Sequence, residues 1–305
     1  MKGSEKSRQS LLDGKLMGRK DKNADDQQME VSGFTGMMMT IFFAVLSLAF
    51  LFPIFLVFMN AFKSKLYISD APFRFPVAEA YVGLGNYIEG VRKTGFFMAF
   101  GRSLFITVCS VAVIVLFTSM TAWYITRVKT KFYSVLYYVF VFAMIVPFQM
   151  VMFTMSKTAN DLYLNSIYGL ILLYLGFGAG QAVFLFCGFV KAIPLEIEEA
   201  AMIDGCSPVQ TYFHVVFPML RPTAVTVAIL NAMWIWNDYL LPSLILPQEK
   251  GTIPMVIQNL KGGYGSIDMG AMMAMLVLAI VPIIIFYLSC QKYIIKGVAA
   301  GAVKG

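Results

Sequence analysis

The chain has 305 residues, of which 59% are hydrophobic and only 13% charged, with a formal net charge of +7. Soluble domains carry roughly 25% charged residues, so this composition excludes a water-soluble enzyme and points to a polytopic membrane protein. The basic excess suits an anionic lipid surface, and nothing in its distribution suggests nucleic-acid binding.

Residues 1–35 are polar and mixed in charge, too long and too acidic for the leading part of a signal peptide. They read as a disordered cytoplasmic tail. A membrane span needs about 20 mostly apolar residues. Runs at 36–60, 103–125, 133–156, 167–190, 219–241 and 271–291 meet that length. They predict a six-helix transmembrane domain over 36–291, with a cytoplasmic tail at 292–305. No long stretch is left for a soluble catalytic domain. With the N-terminus inside, fifteen of the 24 basic residues fall on inner segments, which favours that orientation. The connection holding Arg127, Lys129 and Lys131 is the clearest part of this signal, since it carries no acid.

Chemistry is sparse. The lone histidine, His214, reads as a surface or interface residue. There is no G-x-x-x-x-G-K-[ST], so ATP binding through a P-loop is not expected, and GGYGS at 262–266 lacks the lysine. Cys109, Cys187, Cys206 and Cys290 form no C-x-x-C pair and are expected to be free thiols, with no metal site. Asp238 and Arg102 are the main ionisable residues within the spans. A mid-membrane carboxylate costs about 2.5–3.5 kcal/mol on an insertion scale. Ion-coupled carriers accept that cost for their relays, and this chain hardly does. A transporter of this kind needs an energy source on another chain.

Between the fourth and fifth runs lies an acidic insert, residues 194–218. Pro194 is suited to a first helical turn. Glu196, Glu198 and Glu199 place negative charge where the helix dipole favours it. Ala200 and Ala201 are small helix formers, and Asp204-Gly205 predicts a stop with Gly205 left-handed. Ser207, Pro208 and Gln210 then match an S-x-x-Q capping box opening a second helix. Phe217-Pro218 and Arg221-Pro222 interrupt the approach to the fifth run.

This insert resembles the EAA loop of ABC-importer permeases: Glu199-Ala200-Ala201, then Gly205, then Phe217-Pro218, with Phe217 where leucine is usual. The segments VGLGNY (82–87), MTAWYITRVK (120–129), WIWNDYLLP (234–242), TIPMVI (252–257) and the closing QKYIIKGVAAGAVKG (291–305) extend the resemblance over most of 37–305. Together they are similar to the smaller permease of the carbohydrate-uptake importers, the group that includes the MalG subunit of the maltose transporter. The resemblance implies an all-α fold of the MetI-like, type I importer kind, with six transmembrane helices and a cytoplasmic coupling helix. It implies a non-enzymatic subunit of the bacterial plasma membrane, both termini cytoplasmic. The expected partners are a second homologous permease, an ABC ATPase dimer that binds the ATP and Mg, and an extracellular sugar-binding protein. Carried over, Glu199, Ala200, Ala201, Asp204, Gly205 and Pro218 become ATPase-coupling residues. The end of the chain, Gly301 to Gly305, resembles a tail that in the maltose system reaches the ATPase dimer interface.

Sugars are held by aromatic stacking and by amide or carboxylate hydrogen bonds. Asn231, Trp234, Trp236, Asn237 and Asp238 are the candidates for the substrate path. Helical spacing puts Asn231, Trp234 and Asp238 on one stripe and turns Trp236 and Asn237 elsewhere. The same residues equally suit interfacial anchoring and helix packing. A permease for another solute class and a self-contained carrier are the alternative readings.

Overall fold

The computed structural model describes residues 33–77, 79–260 and 268–302, with side chains up to residue 291. The sequence readings at 1–32, 262–266 and 303–305 lie outside the described residues. The chain divides into two compact units, Met1–Phe55 and Leu56–Gly305.

Helix α1, Gly33–Asn60, carries no charged residue. Within the first unit, the hydroxyls of Thr40 and Ser47 donate back to the carbonyls of Gly36 and Phe43 at 2.9 and 2.7 Å. That is how a helix satisfies side-chain hydroxyls where no water is available.

In the second unit, the chain leaving α1 is fastened by polar side chains. The buried Lys63 donates to the carbonyls of Ala71 (3.0 Å) and Pro72 (3.3 Å), just beyond α2, Lys65–Asp70. Asn86, in α3 (Gly85–Thr94), donates to the carbonyls of Ala61 and Lys63, both at 2.8 Å. Left-handed Gly95 (φ 56°) then turns the chain into α4, Phe96–Arg127.

α4 is the centre of this unit. Its buried face is mostly small or polar: Ala99, Ser103, Thr107, Ser110, Ser119 and Ala122 among them. Small residues let helix backbones approach where lipid offers no hydrophobic drive. α7, Ile167–Val190, packs along α4 and answers with Gly178, where an added Cβ would lie 2.8 Å from the Ile114 side chain. The third apolar run is not one straight helix. It breaks into α5, Lys131–Ile145, and α6, Phe148–Asp161, bent by 107°. Pro147 explains the break, because its ring drives the preceding Val146 into extended backbone (φ −72°, ψ 115°). α5 packs on α7, and a Cβ at Gly180 would lie 2.7 Å from the Phe140 carbonyl oxygen.

After α7 come α8, Leu195–Ile203, the short α9, Pro208–Thr211, a π-helical turn at Tyr212–Val216 and α10, Phe217–Met219. The fifth run starts later than composition suggests. α11, Arg221–Asn237, follows a 75° bend at Leu220 and ends before Asp238. α12, Leu240–Ile245, a 3-10 turn at Gln248–Lys250 and α13, Ile253–Asn259, return the chain across the end of α4. There Arg102 donates to the Gly251 carbonyl (3.0 Å), and the Ile253 N–H donates to the Ser103 hydroxyl (2.9 Å). α14, Met269–Ala302, packs on α3 and α11, and its helical backbone continues through most of the predicted tail 292–305.

Among the described residues, four helices are long and apolar enough to cross a membrane, and up to six spans result if each bent pair counts as one. The architecture is all-α and multi-spanning, as composition predicts.

The contact at Gly180 is with backbone, which cannot step aside. Gly180→Leu is expected to destabilise the protein by about 1–3 kcal/mol through overpacking. Gly176→Leu, where an added Cβ meets nothing within 4 Å, is the matched control. Thermal unfolding in detergent reads the difference, and equal midpoints for the two variants would refute this account of the α5–α7 contact.

Candidate functional site

The acidic segment folds as a helical hairpin. Pro194 takes the N-cap position of α8 with extended backbone (φ −58°, ψ 134°), one place earlier than its role as a first helical residue requires. Its fixed φ suits both positions; ψ is set by the turn through Ala192 and Ile193 that enters from α7. At the other end, the N–H of Cys206 donates to the Ala201 carbonyl and that of Gly205 to Met202, both at 3.0 Å. This is a Schellman closure. Gly205 has φ 89°, and an added Cβ would meet nothing within 4 Å, so conformation rather than space calls for glycine there. α9 opens with the full capping box: the Gln210 side chain accepts the Ser207 N–H at 2.8 Å, and Ser207 Oγ accepts the Gln210 N–H at 3.4 Å. Pro218, half-buried at the start of α10, has no N–H to offer the His214 carbonyl, which fits the widened π turn just before it.

Two adjacent glutamates of α8 have opposite fates. Glu198 is buried (1% exposed), while Glu199 lies on the surface. Glu198 Oε1 accepts from Arg127 Nε (2.9 Å) and Nη2 (2.5 Å), and Oε2 accepts from Trp123 Nε1 (2.8 Å). Arg127 Nη2 also donates to the Ile193 carbonyl at 3.0 Å. Both carboxylate oxygens are therefore met by donors, the condition for burying a charge. The second arm of the hairpin is held by the same helix. The buried Tyr212 hydroxyl lies 2.6 Å from Ser119 Oγ, and its ring centroid is 5.5 Å from that of Trp123. Ser119, Trp123 and Arg127 stand four residues apart along one face of α4.

What α8 leaves outside is mixed in character. Glu199, Ala200 and Asp204 are exposed and Ala201 half-buried, beside Met202 (45% exposed), Ile203 (86%) and Val209 (59%). His214 is exposed too, with Nδ1 3.0 Å from the Gln210 carbonyl. The anchoring set of Ser119, Trp123, Arg127, Glu198 and Tyr212 is missed by a reading centred on Glu199. Its signal is present in MTAWYITRVK, where Trp123 and Arg127 continue the small-residue face of α4.

The stripe of Asn231, Trp234 and Asp238 forms as spacing predicts, but it faces α7. Asp238 Oδ2 accepts the Tyr174 hydroxyl (3.0 Å), and its Oδ1 caps the turn by accepting the Leu240 N–H (3.0 Å). Trp234 meets the Tyr174 ring edge-on at 5.5 Å. Asn231 is buried where a Cβ at Gly178 would approach its Oδ1 to 2.8 Å. Trp236 and Asn237 turn the other way, into a pocket of about 390 Å³ shared with Tyr239, Gln258 and aliphatic side chains of α13 and α14. Among the described residues, no three His, Cys, Asp or Glu side chains gather as a metal site, and all four cysteines are free.

Residues 114–300 match the family model of the binding-protein-dependent transport system inner membrane component. The "Probable starch degradation products transport system permease protein AmyC" of Thermoanaerobacterium thermosulfurigenes is 38% identical, over 88% of this chain and 96% of that one. The multiple sugar-binding transport system permease protein MsmG of Streptococcus mutans is 36% identical, over 83% of this chain and 92% of its own length. A crystal structure of a bacterial ABC transporter involved in import of the acidic polysaccharide alginate superposes with a TM-score of 0.70 at 22% identity, over 85% of this chain and 96% of that chain, a likeness of fold.

Removing either side of the Glu198–Arg127 pair strands the other charge. Glu198→Ala and Arg127→Ala are each expected to cost about 3–5 kcal/mol, and the double variant scarcely more than either single one. Denaturant unfolding of the purified protein in detergent checks this. Additive single effects would mean that the two groups do not act as a unit.

Proposed function

The chain belongs to the family of binding-protein-dependent transport system inner membrane components, and from that membership we propose that it is the permease of an ATP-driven carbohydrate importer. It is a transport permease subunit and not an enzyme. The substrates for which its relatives are named, starch degradation products and multiple sugars, support a carbohydrate. They support the carbohydrate group as a whole rather than the maltose permease in particular.

In this reading the chain forms half of the translocation path beside a second, homologous permease. An extracellular binding protein delivers the sugar. A cytoplasmic ATPase dimer, holding ATP and Mg, supplies the energy, and the hairpin 194–218 faces it. The observation that carries the reading is the division of labour on α8: one glutamate is locked inward on α4 while the next stands free beside exposed apolar side chains. A docked ATPase would cover Met202, Ile203 and Val209 and pair with Glu199, with Ala200 and Ala201 allowing close approach. Asp204, Gly205 and Pro218 give the hairpin its shape. Closure of the ATPase dimer then moves α8 as a rigid body, and the contacts of Glu198 and Tyr212 hand that movement to α4.

The pocket at Trp236, Asn237, Tyr239 and Gln258 is the better placed of the two faces of α11 to meet sugar. It combines aromatic surface with two side-chain amides, that of Asn237 also donating to the Met233 carbonyl, whereas Asn231 is buried and Asp238 is bonded to Tyr174; Trp234, edge-on to Tyr174, keeps an exposed face.

Affinity purification of the tagged chain from its own membranes is expected to recover a second permease and a P-loop ATPase; recovery of this chain alone would overturn the importer reading. In the assembled complex, Glu199→Lys should abolish sugar-stimulated ATP hydrolysis and uptake without preventing membrane insertion, because loss of an interfacial charge partner costs about 2–5 kcal/mol. Normal uptake by that variant would remove Glu199 from the coupling surface. Asn237→Ala and Gln258→Ala should each raise the KM for uptake by roughly 2- to 10-fold, the worth of one hydrogen bond. A KM unchanged in both would take the pocket out of the sugar path.

A further inference from the structure

A second cavity lies at the hairpin's end of the second unit, between the last turn of α4, the first turns of α5 and the end of α7. Its volume is about 720 Å³, and its lining includes Lys129, Lys131 and Lys191 with the hydroxyl residues Thr126, Thr130 and Ser134. No carboxylate lines it. Among the described residues, none of the three lysines forms an ion pair. The Lys191 ammonium sits 5.6 Å from the centroid of the Tyr137 ring, which borders the same cavity. All three lysines are exposed, so the lining is cationic and open to an anion. The amino end of the 15-residue α5 opens on the same space, but the carboxyl ends of α4 and α7 border it too, so the positive character of the cavity rests on its lysines.

The apolar surface beside the cavity says which anion fits. Lys131, Val135, Tyr138 and Phe142 follow one another at i, i+4, i+7 and i+11 on α5, so they share a face. Val135 is 61% exposed, Tyr138 68% and Phe142 65%. The stripe begins at the lysines and leads away along a membrane-spanning element. A free phosphate uses the lysines alone; a phospholipid uses the lysines for its headgroup and the stripe for an acyl chain.

We propose that this cavity binds the phosphate headgroup of an anionic phospholipid, with one acyl chain lying along Val135, Tyr138 and Phe142. The proposal depends on the chain's membrane setting and not on which solute it transports. Bound lipid would brace α5 against α4 and α7 next to the anchor of the hairpin.

The test is native mass spectrometry of the purified full-length protein, with whatever subunits it carries. The detergent is supplemented with equal amounts of phosphatidylglycerol and phosphatidylcholine, with and without excess inorganic phosphate. Wild-type protein is expected to retain phosphatidylglycerol in preference, by about tenfold or more, and inorganic phosphate should not displace it. The triple variant K129Q/K131Q/K191Q should lose that preference, and K129R/K131R/K191R should keep it. No preference in the wild-type protein overturns the proposal, as does full retention by the glutamine variant. Displacement of the lipid by inorganic phosphate, or phosphate retained in its place, would make this a free-anion site and likewise overturn it. If the glutamine variant fails to fold, the wild-type comparison of the two lipids and the phosphate competition still decide.

Discussion

A carboxylate can be buried beside a membrane span only if donors meet both of its oxygens. Glu198 meets that condition through Arg127 and Trp123, two residues of the helix around which the second unit is packed. α8 has little else to hold it, since much of it is exposed, whereas the second arm also buries Tyr212 and Val216 in the core. The ion pair and the Tyr212–Ser119 contact therefore fix where the hairpin sits and how stiffly it is tied to α4. A desolvated charge pair is unforgiving of displacement, so the joint between α8 and α4 is stiff.

The core to which the hairpin is tied has little slack. α4, α7 and α11 meet at Gly178, where an added Cβ would approach both Asn231 and Ile114 to 2.8 Å. Helices packed this closely move together. The helices bend elsewhere, by 107° at the Pro147 break and by 75° at Leu220. One of these bends follows the hairpin directly and the other divides the third apolar run. Rigid contact at α4 is thus combined with two bent helix pairs in the same unit.

Polar groups are distributed by what each end must do. At one end of the second unit, Arg102 and Ser103 bind backbone groups at 251 and 253, closing the connection without a carboxylate. At the hairpin's end, the charges that are paired serve the hairpin, and the lysines left over gather around one cavity. On α11, the residues that look most like a sugar site are split by helix geometry. One set is consumed in packing on α7 and the other opens on the pocket with Gln258.

The apolar runs, the acidic hairpin between the fourth and fifth of them, the left-handed turn at Gly205 and the capping box at Ser207 are all legible in the order of the amino acids. These are local matters: transfer of apolar side chains, backbone sterics and caps act within a few residues of where they are written. The tertiary structure decided which of two neighbouring glutamates turns inward, because the partner of Glu198 lies 71 residues earlier in the chain. It also decided that Asn231 and Asp238 turn toward α7 while Asn237 borders the pocket with Gln258, and that Trp236 is buried against Phe100 whereas Trp234 stays partly exposed. The Pro147 bend stood between these cases, with its cause visible in the sequence and hidden by an apolar run that continues across it. Hydrophobicity records how much of a segment avoids water; it does not record which neighbour each side chain meets, and only packing settles that.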